Sequence, residues 1–250
     1  MQTTSAIIGF QVSGYRSQVK DVRRATCDVR PATCFMYLAL LLLSGIGFVA
    51  PAQAEDVETV VAGLQRRYAS VGTITGNFQQ TYRAPGMDQV ESGVFWLKRP
   101  GYMRWEYRRP EEKLFVADGH ESFLYVPQDR QVTVQPLTAA DLHNTPLRFL
   151  LGDADIDKSF AVSWETDFRP QTGNTNMIRL TPRKRESEYA FLVLELDQTK
   201  CDIRRIVIRE LTGNTSEFLL TNVSSNVKIE NKEFQFKVPK GVEIVRLNNE

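Results

Sequence analysis

The feature that most constrains this chain is a series of short segments in which apolar and polar residues alternate. A period of two is typical of a β-strand with one buried face. The first such segment starts at Ile74, and others follow at short intervals. Eleven strands are predicted, at residues 74–82, 91–98, 102–107, 113–117, 122–126, 131–135, 160–165, 177–181, 189–196, 203–210 and 217–223, with a last extended stretch at 234–238.

The segments between these strands carry turn sequences. Examples are Ala84-Pro85-Gly86, Pro100-Gly101, Arg109-Pro110 and Asp118-Gly119, which place proline, glycine and aspartate where tight turns use them. Parallel neighbours would need crossovers of a dozen or more residues. The spacing therefore predicts an antiparallel meander in one domain.

Two helices interrupt the strand pattern. Apolar residues recur at helical spacing from residue 57 to about Gly72, and Thr145-Pro146 opens a second, shorter apolar segment that Gly152 ends. The apolar face of the first helix is formed by Val57, Val60, Val61, Leu64 and Tyr68, and that of the second by Leu147, Leu150 and Leu151. These helices are the available covers for a large sheet.

A sheet of this size must curl or close so that its apolar face is not left in water. The predicted fold is mainly β: a curved antiparallel sheet with helices over one face. Its interior would be lined by Phe78, Phe95, Leu97, Met103, Trp105 and Tyr107. Periodicity leaves open whether this interior is a hydrophobic cavity or a filled sandwich core.

The start of the chain has the form of a signal peptide. Residues 35–49 are apolar, basic residues precede them, and Ala52-Gln53-Ala54 offers a cleavage site. The apolar stretch is shorter than a spanning helix requires, and no cysteine follows it to accept a lipid. We expect residues 1–54 to be removed and residues 55–250 to form the mature domain, the alternative being an uncleaved anchor.

Charge and cysteine content exclude some classes of protein. Residues 1–54 hold five basic and two acidic residues, which leaves 26 basic and 28 acidic residues in the mature chain. This balance gives no electrostatic basis for binding nucleic acid. Cys201 is the one cysteine after residue 54, so the fold must be stable without an internal disulfide.

The sequence offers little for catalysis. It contains no nucleophile elbow, phosphate-binding loop, Cys-x-x-Cys pair or His-Glu-x-x-His motif. His120 and His143 each stand apart from any nucleophile motif and are interpreted as loop residues. We expect no enzymatic activity, no metal site and no cofactor.

Arg99 is an unusual residue for its position. It follows Phe95 and Leu97 on one face of a predicted strand, so its guanidinium would point toward the apolar interior. A charge there needs acceptors, and the open carbonyls at a helix C-terminus would provide some of them. The alternative is that Arg99 ends its strand and extends to water.

Several spaced segments carry a family resemblance. Gly93-Val-Phe-Trp-Leu-Lys-Arg-Pro100 is the most specific, and Trp105, Val116-Ala117-Asp118-Gly119, Tyr125-Val126-Pro127 and Asn144-Thr145-Pro146-Leu147 follow in order. Together they resemble the LolA family of periplasmic outer-membrane lipoprotein carriers. Met103 departs from the phenylalanine of the best-known members, and residues 153–185 match only loosely.

The resemblance implies an unclosed half β-barrel with a helical lid over a hydrophobic cavity that takes the acyl chains of lipoproteins. It implies loading by the inner-membrane ABC transporter LolCDE and delivery to the outer-membrane receptor LolB. The cleavable signal without a lipid-accepting cysteine predicts a soluble periplasmic protein, and a shuttle between two membranes favours a monomer. Arg99 matches the arginine that latches the lid in this family.

The sequence also allows two other functions. Related half-barrels carry glycolipids or sense lipoproteins in the cell envelope, and the fold alone does not distinguish the cargo. The second alternative is a secreted hydrolase with an unrecognised site, and no motif supports it.

Overall fold

The computed structural model describes residues 56–137, 150, 156–184 and 189–247. These residues fall within one compact unit. They form the strands β1 Thr73–Ala84, β2 Met87–Lys98, β3 Tyr102–Arg109, β4 Lys113–Asp118, β5 Glu121–Val126, β6 Gln131–Pro136, β7 Phe160–Trp164, β8 Thr175–Pro182, β9 Tyr189–Asp197, β10 Ile203–Glu210, β11 Thr215–Ser225 and β12 Glu243–Arg246. The helices are α1 Val57–Ala69, the four-residue α2 Ile156–Ser159 and a 3₁₀ turn at Asn231–Phe234.

All twelve described strands belong to one sheet. Their order is β12-β6-β5-β4-β3-β2-β1-β11-β10-β9-β8-β7, with β12 and β7 at the two edges. Successive strands pair antiparallel within β1–β6 and within β7–β11, and β1 joins the two halves by pairing antiparallel with β11. The predicted mainly β fold, an antiparallel sheet not closed into a barrel, is confirmed for this part of the chain.

One face of the sheet carries the main core. Side chains at alternate positions of β1–β4 and β8–β11 turn to this face, as the pleat of a strand requires, and pack in one apolar cluster with α1. We call it the inner face. Val60, Val61, Leu64 and Tyr68 of α1 are each no more than 4% exposed, so the helix buries its apolar stripe on the sheet.

Helix α1 follows its predicted pattern. Its apolar residues recur every three or four positions, Glu58 lies in the first turn, and Arg66 and Arg67 lie in the last. Charges in these positions favour the helix dipole. The prediction of a helix from residue 57 is confirmed, and the helix ends at Ala69, three residues before Gly72.

The last segment of the chain differs from its prediction. Residues 234–238 form no strand: Phe234 closes the 3₁₀ turn and is fully buried against Tyr102, and Phe236 packs on Phe123 and Tyr125. The backbone strand comes later, at β12, which pairs parallel with β6. Isolated aromatic residues in an extended chain have the same sequence pattern whether they lie in a sheet or across its face.

Some strand bounds also differ. β2 begins at Met87 rather than residue 91, because Pro85 and Gly86 form a two-residue turn that pairs Ala84 with Met87. The predicted signal segment and most of the predicted second helix lie outside the described residues. Leu150 is described and is 1% exposed in the core cluster.

The other face of β8–β11 is covered by the segment between β7 and β8. Glu195 alternates with Leu194 and Leu196 and so points away from the inner face. Its carboxylate accepts hydrogen bonds from the Thr172 N–H at 2.7 Å, the Thr172 hydroxyl at 2.5 Å and the Gln171 N–H at 3.1 Å. These bonds fix the covering segment to the sheet.

Arg205 completes this buried network. Its Nε lies 2.8 Å from Glu195 Oε2 as an ion pair, without the alignment of a hydrogen bond. Its Nη2 donates to the Arg169 carbonyl at 2.7 Å, and Nη1 lies 3.5 Å from Glu217. Burial acts to raise the pKa of Glu195, but the hydrogen bonds from Thr172 and Gln171 and the charge of Arg205 outweigh it and leave that pKa below its ordinary value.

Replacing Arg205 tests whether this network stabilises the fold. Arg205→Met leaves the Glu195 carboxylate buried without its cation, so the free energy of unfolding should fall by about 3–5 kcal/mol, measured by urea denaturation. Arg83 pairs with the same Glu217 but its side chain is 46% exposed. Arg83→Met should therefore cost less than about 1 kcal/mol, and equal losses in both variants would contradict the prediction.

Candidate functional site

An aromatic cluster occupies the centre of the inner face. The Trp105 ring stacks on Phe95 at a centroid distance of 4.9 Å, meets Phe78 edge-on at 4.8 Å, and meets Phe218 at 5.8 Å. β11 thus contributes to the same cluster as β1, β2 and β3. Phe218 was not among the predicted interior residues, because pairing between β1 and β11 cannot be read from local periodicity.

The predicted interior residues come together here. Phe78, Phe95, Leu97, Met103 and Trp105 are each no more than 4% exposed. Tyr107 is half-buried and packs against the same cluster, with its ring 4.9 Å from Phe78. The structure places all six residues on one apolar surface under α1, and their role in binding stays a prediction.

Gly93 lets this surface close. A Cβ at position 93 would lie 1.8 Å from the Glu106 carbonyl oxygen and 3.0 Å from the Phe78 ring. Any side chain there would push β3 away from β2. The glycine at the head of the Gly93–Pro100 segment is therefore required by the close approach of two backbones.

A second group on the inner face is polar, and sequence analysis missed it. Glu91 and Lys113 form a buried ion pair, and the Tyr107 hydroxyl donates to Gln80 Oε1 at 2.8 Å. Burial, with the nearby Glu91 charge, raises the pKa of Tyr107. We call Gln80, Glu91, Tyr107 and Lys113 the polar cluster. Pairing between four strands brings these residues together, and no short sequence motif signals it.

Helix α1 is fixed to the second half of the sheet near its C-terminus. The Ile203 N–H donates to the Tyr68 hydroxyl at 3.1 Å, and Arg67 pairs with Asp202 at 2.7 Å. A Cβ at Gly63 would lie 2.7 Å from Cys201 Sγ. Glycine at position 63 therefore lets the helix lie directly on the turn between β9 and β10.

Arg99 connects the first half of the sheet to the same end of α1. Its guanidinium donates to the Tyr68 carbonyl at 2.8 Å and to the Ala69 carbonyl at 3.0 Å. These are among the last carbonyls of the helix, which have no partner within it, and a cation there also favours the helix dipole. The Arg99 N–H itself donates to the Gly72 carbonyl at 3.0 Å. Two hydrogen bonds thus join the residue after β2 to the end of α1, and a third joins it to the segment between α1 and β1.

The residues predicted to form the lid fall in two groups. Val60, Val61 and Leu64 are buried in α1, and Val57 packs at the edge of the cluster. Leu150 is buried in the same cluster, whereas Leu147 and Leu151 lie outside the described residues. Whether these residues move as a lid is left as a prediction.

The described residues include no cluster that could hold a metal ion. Among residues 56–137, 150, 156–184 and 189–247, no three His, Cys, Asp or Glu side chains are placed to hold a metal ion. His120 is exposed in the turn before β5, where its backbone N–H donates to Asp118 Oδ1. No helix in the described part of the chain is both long and apolar enough to cross a membrane.

Comparison with known proteins identifies the family of this chain. The family described as "Outer membrane lipoprotein carrier protein LolA" matches residues 69–237. The chain belongs to the LolA family. The matched region includes the Gly93–Pro100 segment, the aromatic cluster, the polar cluster and the residues on the sheet side that hold the end of α1, which are Arg99, Asp202 and Ile203.

Two curated LolA-family relatives match over nearly their whole length. Each is named "Outer-membrane lipoprotein carrier protein". The one from Hahella chejuensis is 31% identical over 84% of this chain and 96% of its own, and the one from Bordetella avium is 29% identical over 84% and 95%. A solved LolA superfamily protein from Nitrosomonas europaea is similar at 12% identity with a TM-score of 0.40, over 73% of this chain and 99% of that one.

Tyr68 gives the anchored end of α1 a pH dependence. Burial raises its pKa to about 12, and the Ile203 hydrogen bond offsets this only in part. An unfolded tyrosine ionises near pH 10, so the folded state holds the proton more tightly. The stability from this group is complete below about pH 10 and is lost as pH rises from about 10 through 12.

In Tyr68→Phe, the free energy of unfolding should therefore fall less steeply above about pH 10 than in the wild type. At pH 8 it should be lower by about 1–3 kcal/mol, because the buried Ile203 N–H loses its acceptor. Urea denaturation from pH 8 to 12 measures both effects. Tyr125→Phe, on the opposite face, is the control, and an unchanged alkaline decline in Tyr68→Phe would refute the assignment.

Proposed function

We propose that this LolA-family chain is a periplasmic carrier that binds the acyl chains of lipoproteins at its inner face and delivers them to the outer membrane. The observation that carries the proposal is an apolar surface covered by one amphipathic helix whose end is held by Arg99. Binding and release suffice for this task, without covalent chemistry.

Binding by such a carrier is reversible because acyl chains and the α1 side chains would occupy the same apolar surface in turn. Four α1 side chains that are each no more than 4% exposed lie on the surface that acyl chains would occupy. An acyl chain gains about 0.8 kcal/mol for each buried CH₂, so an open surface would hold its cargo too tightly to release it. Displacing α1 and breaking the Arg99 hydrogen bonds subtracts from that gain.

The proposed route begins with export. The signal-like segment at residues 1–54 would direct the chain out of the cytoplasm, and cleavage after Ala54 would release it into the periplasm as a soluble monomer. We propose that LolCDE loads the carrier and that LolB unloads it, and membership of the LolA family supports both steps. Direction would come from these partners, because the Arg99 contacts act on loading and unloading alike.

Removing the Arg99 hydrogen bonds tests the latch. Arg99→Leu should remain folded and accumulate bound lipoprotein, because the covered state loses the two guanidinium hydrogen bonds to the end of α1 while the acyl-binding surface is unchanged. The measurement is the amount of lipoprotein that copurifies with the variant from the periplasm, and its transfer to outer-membrane fractions.

Arg108→Leu is the matched control, because it removes one arginine whose side chain is 59% exposed and pairs only with Glu106 among the described residues. It should release cargo as the wild type does. Normal release by Arg99→Leu would count against the latch role.

A reversible cross-link tests whether α1 must leave the inner face. In Gly63→Cys, the introduced thiol would lie within disulfide distance of Cys201, because a Cβ at position 63 would lie 3.9 Å from Cys201 Cβ, within the separation that disulfides span. Val60, Val61 and Leu64 flank this position and would be held on the sheet. The oxidised variant should bind a diacylated lipopeptide at least about tenfold more weakly than the reduced one, as measured by calorimetry.

The combined variant Gly63→Cys with Cys201→Ala controls for the substitution itself and should not respond to oxidation. Equal binding by the oxidised and reduced forms of Gly63→Cys would show that acyl chains do not need the space under α1.

The identity of the cargo is tested separately. Mass spectrometry of material that copurifies with the wild-type protein from its own periplasm should detect acylated lipoproteins. Recovery of free lipids or glycolipids instead would favour a different envelope carrier or sensor with the same fold.

A further inference from the structure

The indole N–H of Trp105 is a buried donor that has no acceptor in the part of the chain that the structure describes. Trp105 is 3% exposed, and its Nε1 has no hydrogen-bond partner among the described residues. A buried polar group left unpaired destabilises the fold, and most tryptophan N–H groups in protein interiors find a partner. Among the described residues, this donor therefore lies beside aromatic rings and has no hydrogen-bond partner.

The surroundings of Trp105 offer little compensation. Its described ring neighbours are Phe78, Phe95 and Phe218. The face of a phenylalanine ring is at best a weak acceptor for N–H. A carbonyl oxygen brought to the same place would be a much stronger one.

The position of Trp105 along its strand is the second observation. Inner-face residues of β3 alternate as Met103, Trp105 and Tyr107. Met103 lies beside Leu97 at the apolar end of the surface, near the anchored end of α1. Tyr107 belongs to the polar cluster with Gln80, Glu91 and Lys113. The Trp105 donor therefore marks the boundary between an apolar and a polar region.

An acylated lipid has the same order of groups. Its hydrocarbon chains lead to ester or amide carbonyls, and a polar head or peptide follows these carbonyls. We propose that Trp105 Nε1 donates a hydrogen bond to an acyl carbonyl of the bound lipid, with the chains directed toward Leu97 and Met103 and the polar group toward the polar cluster. This inference rests on the proposed function and adds an orientation and a specific donor to it.

The test compares two lipopeptides that differ only in the carbonyl. One carries two palmitoyl chains in ester linkage on a glyceryl-cysteine followed by a short Ser-Lys peptide, and the other carries ether-linked hexadecyl chains on the same group. Calorimetry on the wild-type protein should give about three- to tenfold tighter binding of the ester probe, the gain expected from one hydrogen bond.

Trp105→Phe should abolish this preference, because it keeps an aromatic ring and removes the donor. Trp96→Phe is the matched control: Trp96 alternates with Phe95 and Leu97, so it lies on the other face of β2, and this variant should retain the preference. Thermal unfolding of each variant checks that it is folded.

The outcomes separate this inference from the proposed function. Equal binding of ester and ether probes by the wild type overturns the role of Trp105 and leaves the carrier function standing, and this comparison needs no variant. Equal weakening of both probes in Trp105→Phe also overturns it, because lost packing would then be the cause. Absence of binding by either probe overturns both proposals.

Discussion

The covering of the inner face by α1 is the interaction on which the rest of this structure depends. Both halves of the sheet turn large apolar side chains to one side, and this surface cannot be left in water. Among the described residues, the thirteen-residue helix α1 packs on it together with Leu150 and Ile156. The helix is held at its C-terminal end from two directions, by Arg99 after β2 and by Ile203 and Asp202 at the start of β10. These polar contacts place the helix, whereas the area it covers supplies the driving force.

The local sequence pattern predicted most strands and helix α1, but it did not predict how distant strands pair. Alternation located eleven of the twelve described strands, and helical spacing located α1, because each depends on residues close in sequence. The edge strand β12 was missed because Glu243–Arg246 is short and half exposed, with no buried face to produce alternation. The prediction of an extended stretch at residues 234–238 was wrong because Phe234 and Phe236 are buried across a face of the sheet. Aromatic residues buried in this way give the same sequence pattern as residues buried within a strand.

The candidate site divides in the same way. Phe95, Leu97, Trp105 and Arg99 lie in or near one recognisable segment, so their shared face could be predicted from strand alternation. Glu91 and Lys113 come from different strands, and only the observed register brings their side chains together. Glu195 and Arg205 have the sequence pattern of solvent-facing strand residues. They are buried because the segment between β7 and β8 folds over them, and that segment has no periodicity of its own.

The pairing of β1 with β11 has a consequence for the order in which the molecule can assemble. Phe78 on β1 pairs with Leu220, 142 positions later in the chain. Contacts between such distant segments form late, because a long loop must first be closed. Helix α1 precedes β1 directly, yet its anchoring residues Asp202 and Ile203, at the start of β10, are in place only after that closure. The first helix of the domain is therefore among the last elements to dock, and its apolar face is exposed while the rest of the sheet forms.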